Sequence, residues 1–371
     1  MKRFFSTIIA ILAFAGVALA QSYQMNVITS SGKTYAIDAD DLISVTFAPT
    51  AVDVNPVSGT DLGTVLNGID LSGAKTVRIT LEAGGEYTAN APINCPANLQ
   101  ILGDAENPAK IKVSNNKFLV IDKGLILQNV EIDATDCKTQ LICWNSTPSV
   151  EKVESGQYVI LDPVIINNVK ATGMTSSFMY DGGPAYAFDA ITINNCVLGW
   201  ESQDKNGINF ATSMPITMSV TNCTMYSKEK TGQNFMGLNG SKRPWEITGY
   251  TDRKGEYVFE NNTFYQLANT KQFINTNRLK GQKNALFTFK KNIFFDCSNK
   301  KIYANITNNN AQLTCEDNTY WFDGAAYEEP SSYNPDAGLQ TDPAFVDPAN
   351  GDFTPTGAEQ VAKKTGDPRW F

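Results

Sequence analysis

Histidine is absent from this 371-residue sequence, so no imidazole can serve as base, acid or metal ligand. That removes Ser-His-Asp and Cys-His hydrolases and most catalytic zinc sites. After the first twenty residues no apolar run reaches the 18 or so residues of a spanning helix, and no membrane span is expected. Charge is sparse at 18%, and the net value of −8 argues against nucleic acid as a partner. It also argues mildly against a strongly polyanionic ligand unless bound cations or a local basic patch offset it. Cysteines number seven, which leaves at least one unpaired and excludes a disulfide framework.

What is present begins with an export signal. Lys2 and Arg3 precede an apolar stretch from Phe4 to Phe14, and Ala18-Leu19-Ala20 forms a small-residue cleavage site. The residue immediately after that site is Gln21 and not a cysteine, so a free periplasmic or extracellular protein is expected rather than a lipid-anchored one.

Seven segments then overlay without gaps: Leu125 to Ile132, Val164 to Ala171, Ile191 to Leu198, Met218 to Met225, Tyr257 to Phe264, Phe287 to Phe294 and Leu313 to Tyr320. Their fifth positions are Asn129, Asn168, Asn195, Asn222, Asn261, Lys291 and Asp317, at steps of 39, 27, 27, 39, 30 and 26 residues. Periods of 20 to 50 residues mark stacked units. Within each unit apolar and polar residues alternate, the period of a strand with one buried face. A second short apolar stretch follows, as in Leu141-Ile142-Cys143-Trp144 or Phe178-Met179-Tyr180. Short strands without helix in so small a unit predict an all-β parallel β-helix, a solenoid whose coils pair side by side.

In such a stack the recurring Asn residues form a ladder, because the amide both donates and accepts and tolerates the left-handed backbone of a sharp turn. Asn262, Asn292 and Asn318 form a second ladder one position on. Leu127, Ile166, Ile193, Val220, Phe259 and Phe289 are the core column. Cys196 and Cys223 stack as free thiols, whereas Cys137 and Cys143 are the better disulfide candidate.

The expected organisation is a signal peptide over 1–20, a small strand segment and Pro-containing linker over 21–58, the solenoid over 59–322 and a loop-rich C-terminal cap over 323–371. An N-terminal helix capped by Thr60-Asp61, with Leu62, Val65, Leu66 and Ile69 on one face, would cover the open end of the stack.

The coil pattern, the export signal and the stretch Leu81-Glu82-Ala83-Gly84-Gly85-Glu86-Tyr87 resemble right-handed β-helix proteins of the pectate-lyase-like class. The tail, with Thr341-Asp342-Pro343-Ala344-Phe345-Val346-Asp347-Pro348, Asn350-Gly351-Asp352-Phe353 and Gly366-Asp367-Pro368-Arg369-Trp370, is similar to that of uncharacterised exported proteins from Bacteroidetes. The resemblance implies a right-handed single-stranded β-helix and a polysaccharide-handling role. It carries over no catalytic residue.

The two 39-residue repeats hold insertions, Asn145 to Gln157 and Asn239 to Gly255, two short coils apart on the same side. Extra loops on one side of a solenoid commonly mark its binding face, and these two could wall a cleft. Trp144, Tyr180, Phe210, Thr212, Trp245 and Tyr250 would contact an acidic polysaccharide or oligosaccharide there, aromatic faces against sugar rings. Lys242, Arg243 and Arg253 are the catalytic candidates for β-elimination, and Asp181 and Asp189 could hold Ca²⁺ opposite the developing enolate. Each has a plainer role: the arginines as partners of Glu246 or Asp252, Asp181 as a turn residue, the aromatics as packing. Three functions therefore stand side by side: a protein that binds an acidic glycan in the cleft and, if catalytic, cleaves it by lyase-type β-elimination; a non-catalytic glycan- or protein-binding surface module; and a purely structural cell-surface component.

Overall fold

The computed structural model describes residues 24–28, 34–38 and 51–371, apart from 231, 277, 278, 280–283, 299–301, 309, 310 and 327–337. The chain divides into two units, Met1–Ala48 and Pro49–Phe371. In the first, Gln24–Ile28 and Thr34–Asp38 pair antiparallel. The export signal lies outside the described residues.

The second unit is all-β and dominated by parallel pairing. Each repeat contributes to two hydrogen-bonded arrays, and each strand bonds to its counterpart one repeat away. In the larger array Leu125–Asp133 pairs with Val164–Met174, which pairs in turn with Tyr186–Asn194, and the series runs on to Gln312–Glu316. The second apolar stretches form a seven-stranded parallel sheet that includes Gln140–Trp144, Ser177–Tyr180 and Ile208–Phe210. The sequence overlay is the physical register: Leu127 lies opposite Ile166, and Phe259 opposite Phe289. The six core-column residues are fully buried.

Sharp turns hold this register. Asn129, Asn168, Asn195, Asn222, Asn261, Lys291 and Asp317 all adopt φ between 51° and 56°. That conformation costs most L-residues about 1–2 kcal/mol, and Asn relieves it through local hydrogen bonds. Asn168 Nδ2 donates to Asn129 Oδ1 at 2.9 Å and Asn195 Nδ2 to Asn168 Oδ1 at 3.3 Å, linking repeat to repeat.

One position on, the inner column changes chemistry along the stack, from Val130 and Val169 through Cys196 and Cys223 to Asn262, Asn292 and Asn318. The three amides are wholly buried yet satisfied. Asn262 Nδ2 donates to Asn292 Oδ1 at 2.9 Å and to the Val220 carbonyl at 2.8 Å, and Asn292 repeats the pattern with Asn318 and Phe259. Cys196 and Cys223 are free thiols in contact, the Cys196 N–H donating to Cys223 Sγ at 3.4 Å. Cys137 and Cys143, expected as a disulfide, are also free. Their sulfurs belong to different neighbourhoods: Cys137 donates to the carbonyls of Asn116 and Gln140, Cys143 to that of Trp144.

The expected linker contains a strand. Ala51–Val54 pairs in parallel with Thr76–Thr80, so the large array starts ahead of residue 59. The helix Leu62–Asn67 follows, with the Asp61 carboxylate accepting from Gly63 N–H and Thr64 Oγ1–H. It buries Leu62 and Leu66.

The C-terminal segment does more than close the last repeats. After the helix Ala358–Lys363, it runs back along the side of the stack and touches five repeats in turn. Lys363 pairs with Asp317 and Thr365 meets Thr319. Gly366 N–H donates to the Lys291 carbonyl, and Asp367 meets Thr263 and Thr224. Arg369 then donates to the Asn222 carbonyl and to Asn195 Oδ1.

Candidate functional site

The two insertions leave by the same side, but they close on each other. Ser155 and Thr248 exchange backbone-to-hydroxyl hydrogen bonds of 3.0 Å in both directions, and Gln157 donates to Ser241. Beneath them Ile247 and Tyr250 of one loop pack with Ala187 and Ile216 of the repeats between, flanked by Val153 and Val159. The expected cleft is therefore filled by a small apolar core.

Most of the residues expected to line it have structural partners. Trp144 and Phe210 are fully buried, contrary to a substrate-binding role. The Trp144 ring meets Phe188 edge-on, and its Nε1–H donates to the Lys123 carbonyl. Phe210 lies 5.6 Å from the same Phe188 ring. Trp245 is half-buried against the main core, and Tyr250 is 7% exposed. Tyr180 is half-buried on the second sheet.

Asp181 is completely buried and does not present a free carboxylate to a cation. Its Oδ2 accepts from the Thr212 and Ser213 N–H groups at 2.8 and 2.9 Å and from Thr212 Oγ1–H, while Oδ1 accepts from Gly183 N–H. It ties two turns together. Gly182 follows with φ of 72°, where a Cβ would strike the Trp144 carbonyl. Burial raises the Asp181 pKa above the usual carboxylate value, against the pull of those hydrogen bonds.

Asp189, Tyr250 and Arg253 do come together. The Arg253 guanidinium stands 3.7 Å from Asp189 and 5.7 Å from the centre of the Tyr250 ring. Arg243 turns to Glu246, which also accepts from the Arg243 N–H. Lys242 is exposed. Both arginines thus face carboxylates rather than an open cleft. Among the described residues no three His, Cys, Asp or Glu side chains converge as a metal-ligand set.

Among the described residues an open concavity lies elsewhere, on the outer surface of the large array near the N-terminal end of the stack. Its volume is about 540 Å³. Four strands form its floor: Glu86–Ala89, Ala109–Val113, Leu125–Asp133 and Val164–Met174. Their alternation buries Tyr87, Ile111 and Ile132 and turns the neighbours on either side outward. Register then assembles two outward columns, Glu86, Lys110, Glu131, Lys170 and Thr88, Lys112, Asp133, Thr172. Gly59 borders the groove at one end. Thr135 hydrogen bonds and the Lys112 charge outweigh the desolvation of Asp133 and hold its pKa below the usual value.

Further along the stack the same face changes character. The Lys170 column continues as Val197, Thr224, Thr263, Ile293, and beside it, past a register shift between Ala171 and Met174, runs a column of Gly199, Tyr226, Tyr265, Phe295. This aromatic half is covered by the C-terminal segment. Phe353 packs on Tyr226 and Tyr265, Phe345 packs on Tyr265 and Phe295, and Trp370 Nε1–H donates to Thr224. One face is thus filled by the chain's own tail over its later repeats and open over its earlier ones.

Residues 85–228 match a family described as a domain of unknown function (DUF4957). Residues 257–370 match a second domain of unknown function (DUF5123). No curated protein matches the chain. Apart from Gly59, every groove residue falls in the first match, whereas the covering tail falls in the second. The groove had a trace in the sequence: charged-apolar-charged triplets Lys110-Ile111-Lys112 and Glu131-Ile132-Asp133 occupy equivalent strand positions.

Proposed function

We propose that this chain is a right-handed parallel β-helix of the exported, polysaccharide-handling kind, and that it holds an extended glycan in the charged groove without cutting it. The in-register parallel pairing and the left-handed Asn turns support the β-helix, and the resemblance to pectate-lyase-like proteins supports the glycan. The observation that carries the site is the open groove itself, in which lysines and carboxylates stand exposed on a floor of paired strands. Binding rather than cleavage follows from the fate of the lyase candidates: Arg243 and Arg253 face carboxylates, and Asp181 is spent on holding turns.

Calorimetric titration of the protein with linear acidic oligosaccharides tests this. Saturable binding that weakens in Lys112→Glu, with no unsaturated product in the ultraviolet, is the expected result. Release of such product would restore the lyase reading. Absence of binding to any glycan, with capture of a protein partner on this face, would replace glycan by protein as the ligand.

A further inference from the structure

The groove's charges are sorted by strand. Glu86 and Thr88 give the first strand a negative charge, and Lys110 and Lys112 make the second doubly positive. Glu131 and Asp133 make the third doubly negative, and Lys170 with Thr172 leaves the fourth positive. The sign therefore reverses at every step of about 4.8 Å across the sheet, and like signs recur about every 10 Å.

These charges are loosely held. Lys110–Glu86, Lys170–Glu131 and Lys112–Asp136 stand 3.9, 3.8 and 3.8 Å apart, beyond hydrogen-bond length. Elsewhere on the molecule Lys228–Glu201 and Lys363–Asp317 close to 2.8 and 2.9 Å. The groove lysines, Glu86 and Glu131 thus keep hydrogen-bonding capacity that a ligand can take up, while Asp133, which accepts from Thr135 N–H at 3.0 Å, adds its negative charge.

We infer that the groove selects a linear glycan in which anionic and uncharged sugars alternate, lying across the strands, over a chain that is anionic at every sugar. The inference rests on the glycan reading above. An extended pyranose chain advances by about one strand spacing per sugar, so its two-sugar repeat matches the two-strand charge repeat. Anionic groups then meet Lys110, Lys112 and Lys170, while hydroxyl or amide donors of the intervening sugars meet Glu131 and Asp133. A uniformly anionic chain in the same pose sets every second carboxylate against Glu131 and Asp133, a like-charge contact that discriminates against it.

The test compares two oligosaccharides of equal length on the wild-type protein, an alternating glucuronate–N-acetylglucosamine chain and an oligogalacturonate. The alternating chain should bind at least ten-fold more tightly. In the quadruple variant K110E/K112E/E131K/D133K net charge is unchanged but the alternation is destroyed, and that preference should disappear. Equal binding of the two chains to wild type, or an undiminished preference in a folded quadruple variant, overturns the alternation rule and leaves glycan binding standing. If neither chain binds, and no other glycan does, the glycan reading itself falls. The wild-type comparison needs no variant to fold.

Discussion

Asp181 illustrates how one side chain can satisfy two descriptions in sequence and only one in space. An Asp before Gly182-Gly183 fits a cation ligand and a turn equally well until its neighbours are known, and the decisive ones, Thr212 and Ser213, are 31 and 32 residues away. With the carboxylate saturated, Asp181→Asn turns an amide N–H₂ toward a donor and should cost about 1–3 kcal/mol. The pH dependence follows from burial, which raises the folded pKa above the ordinary 3.8. The folded chain then keeps this proton to higher pH than the unfolded chain. Stability contributed by the site is greatest below 3.8, falls as pH rises through the folded value, and is level above it. Urea midpoints of wild type and Asp181→Asn across about pH 3 to 6 should differ in slope, and parallel curves would refute the assignment. Trp144 and Phe210 illustrate the same limit. Their end-of-strand positions placed them near the insertions, but strand parity alone does not tell an outward ring from one that rotates under a loop.

Repeat elements were the most legible part of the chain, because strand period and turn chemistry are local and recur seven times. A single position, the residue at φ near 54°, fixes the register of everything around it. Asn168→Ala removes a donor to Asn129 and an acceptor from Asn195 and leaves a Cβ-bearing residue without local compensation, so a loss of about 1–2 kcal/mol is expected. Lys291 occupies the same conformation without an amide. Lys291→Asn should therefore raise stability by about 0.5–1 kcal/mol. Calorimetric melting of both variants checks the pair, and changes of equal sign would count against the turn argument. The insertions were legible only as lengths. That they meet each other depends on Ser155, Thr248 and the apolar residues beneath, a contact spanning 93 residues that no local pattern announces. The groove escaped for a related reason: its charges become neighbours only after four strands are laid in order.

At the scale of the molecule, repeat stacks usually hold together through nearest-neighbour interfaces alone. Here the C-terminal segment adds a continuous tie along five successive repeats, centred on Asp367, which is 1% exposed, bridges Thr224 and Thr263 of paired strands, and is held by Arg369 at 2.6 Å. Asp367→Ala leaves Arg369 and the Thr224 hydroxyl without their anion, and should cost about 3–5 kcal/mol. Amide exchange should accelerate over 339–371 and the repeats from Asn195 onward, with the groove strands 86–133 unaffected. Uniform acceleration would mean that the segment only shields one end.

That lateral tie also acts as a ruler. Thr365, Gly366 and Asp367 meet successive repeats, so duplicating a repeat between Asn195 and Asp317 would open a gap of about 4.8 Å, more than one residue of chain can bridge. Repeat number is thereby locked on the covered side, and evolutionary lengthening or shortening of the stack is free to occur only where the face lies bare.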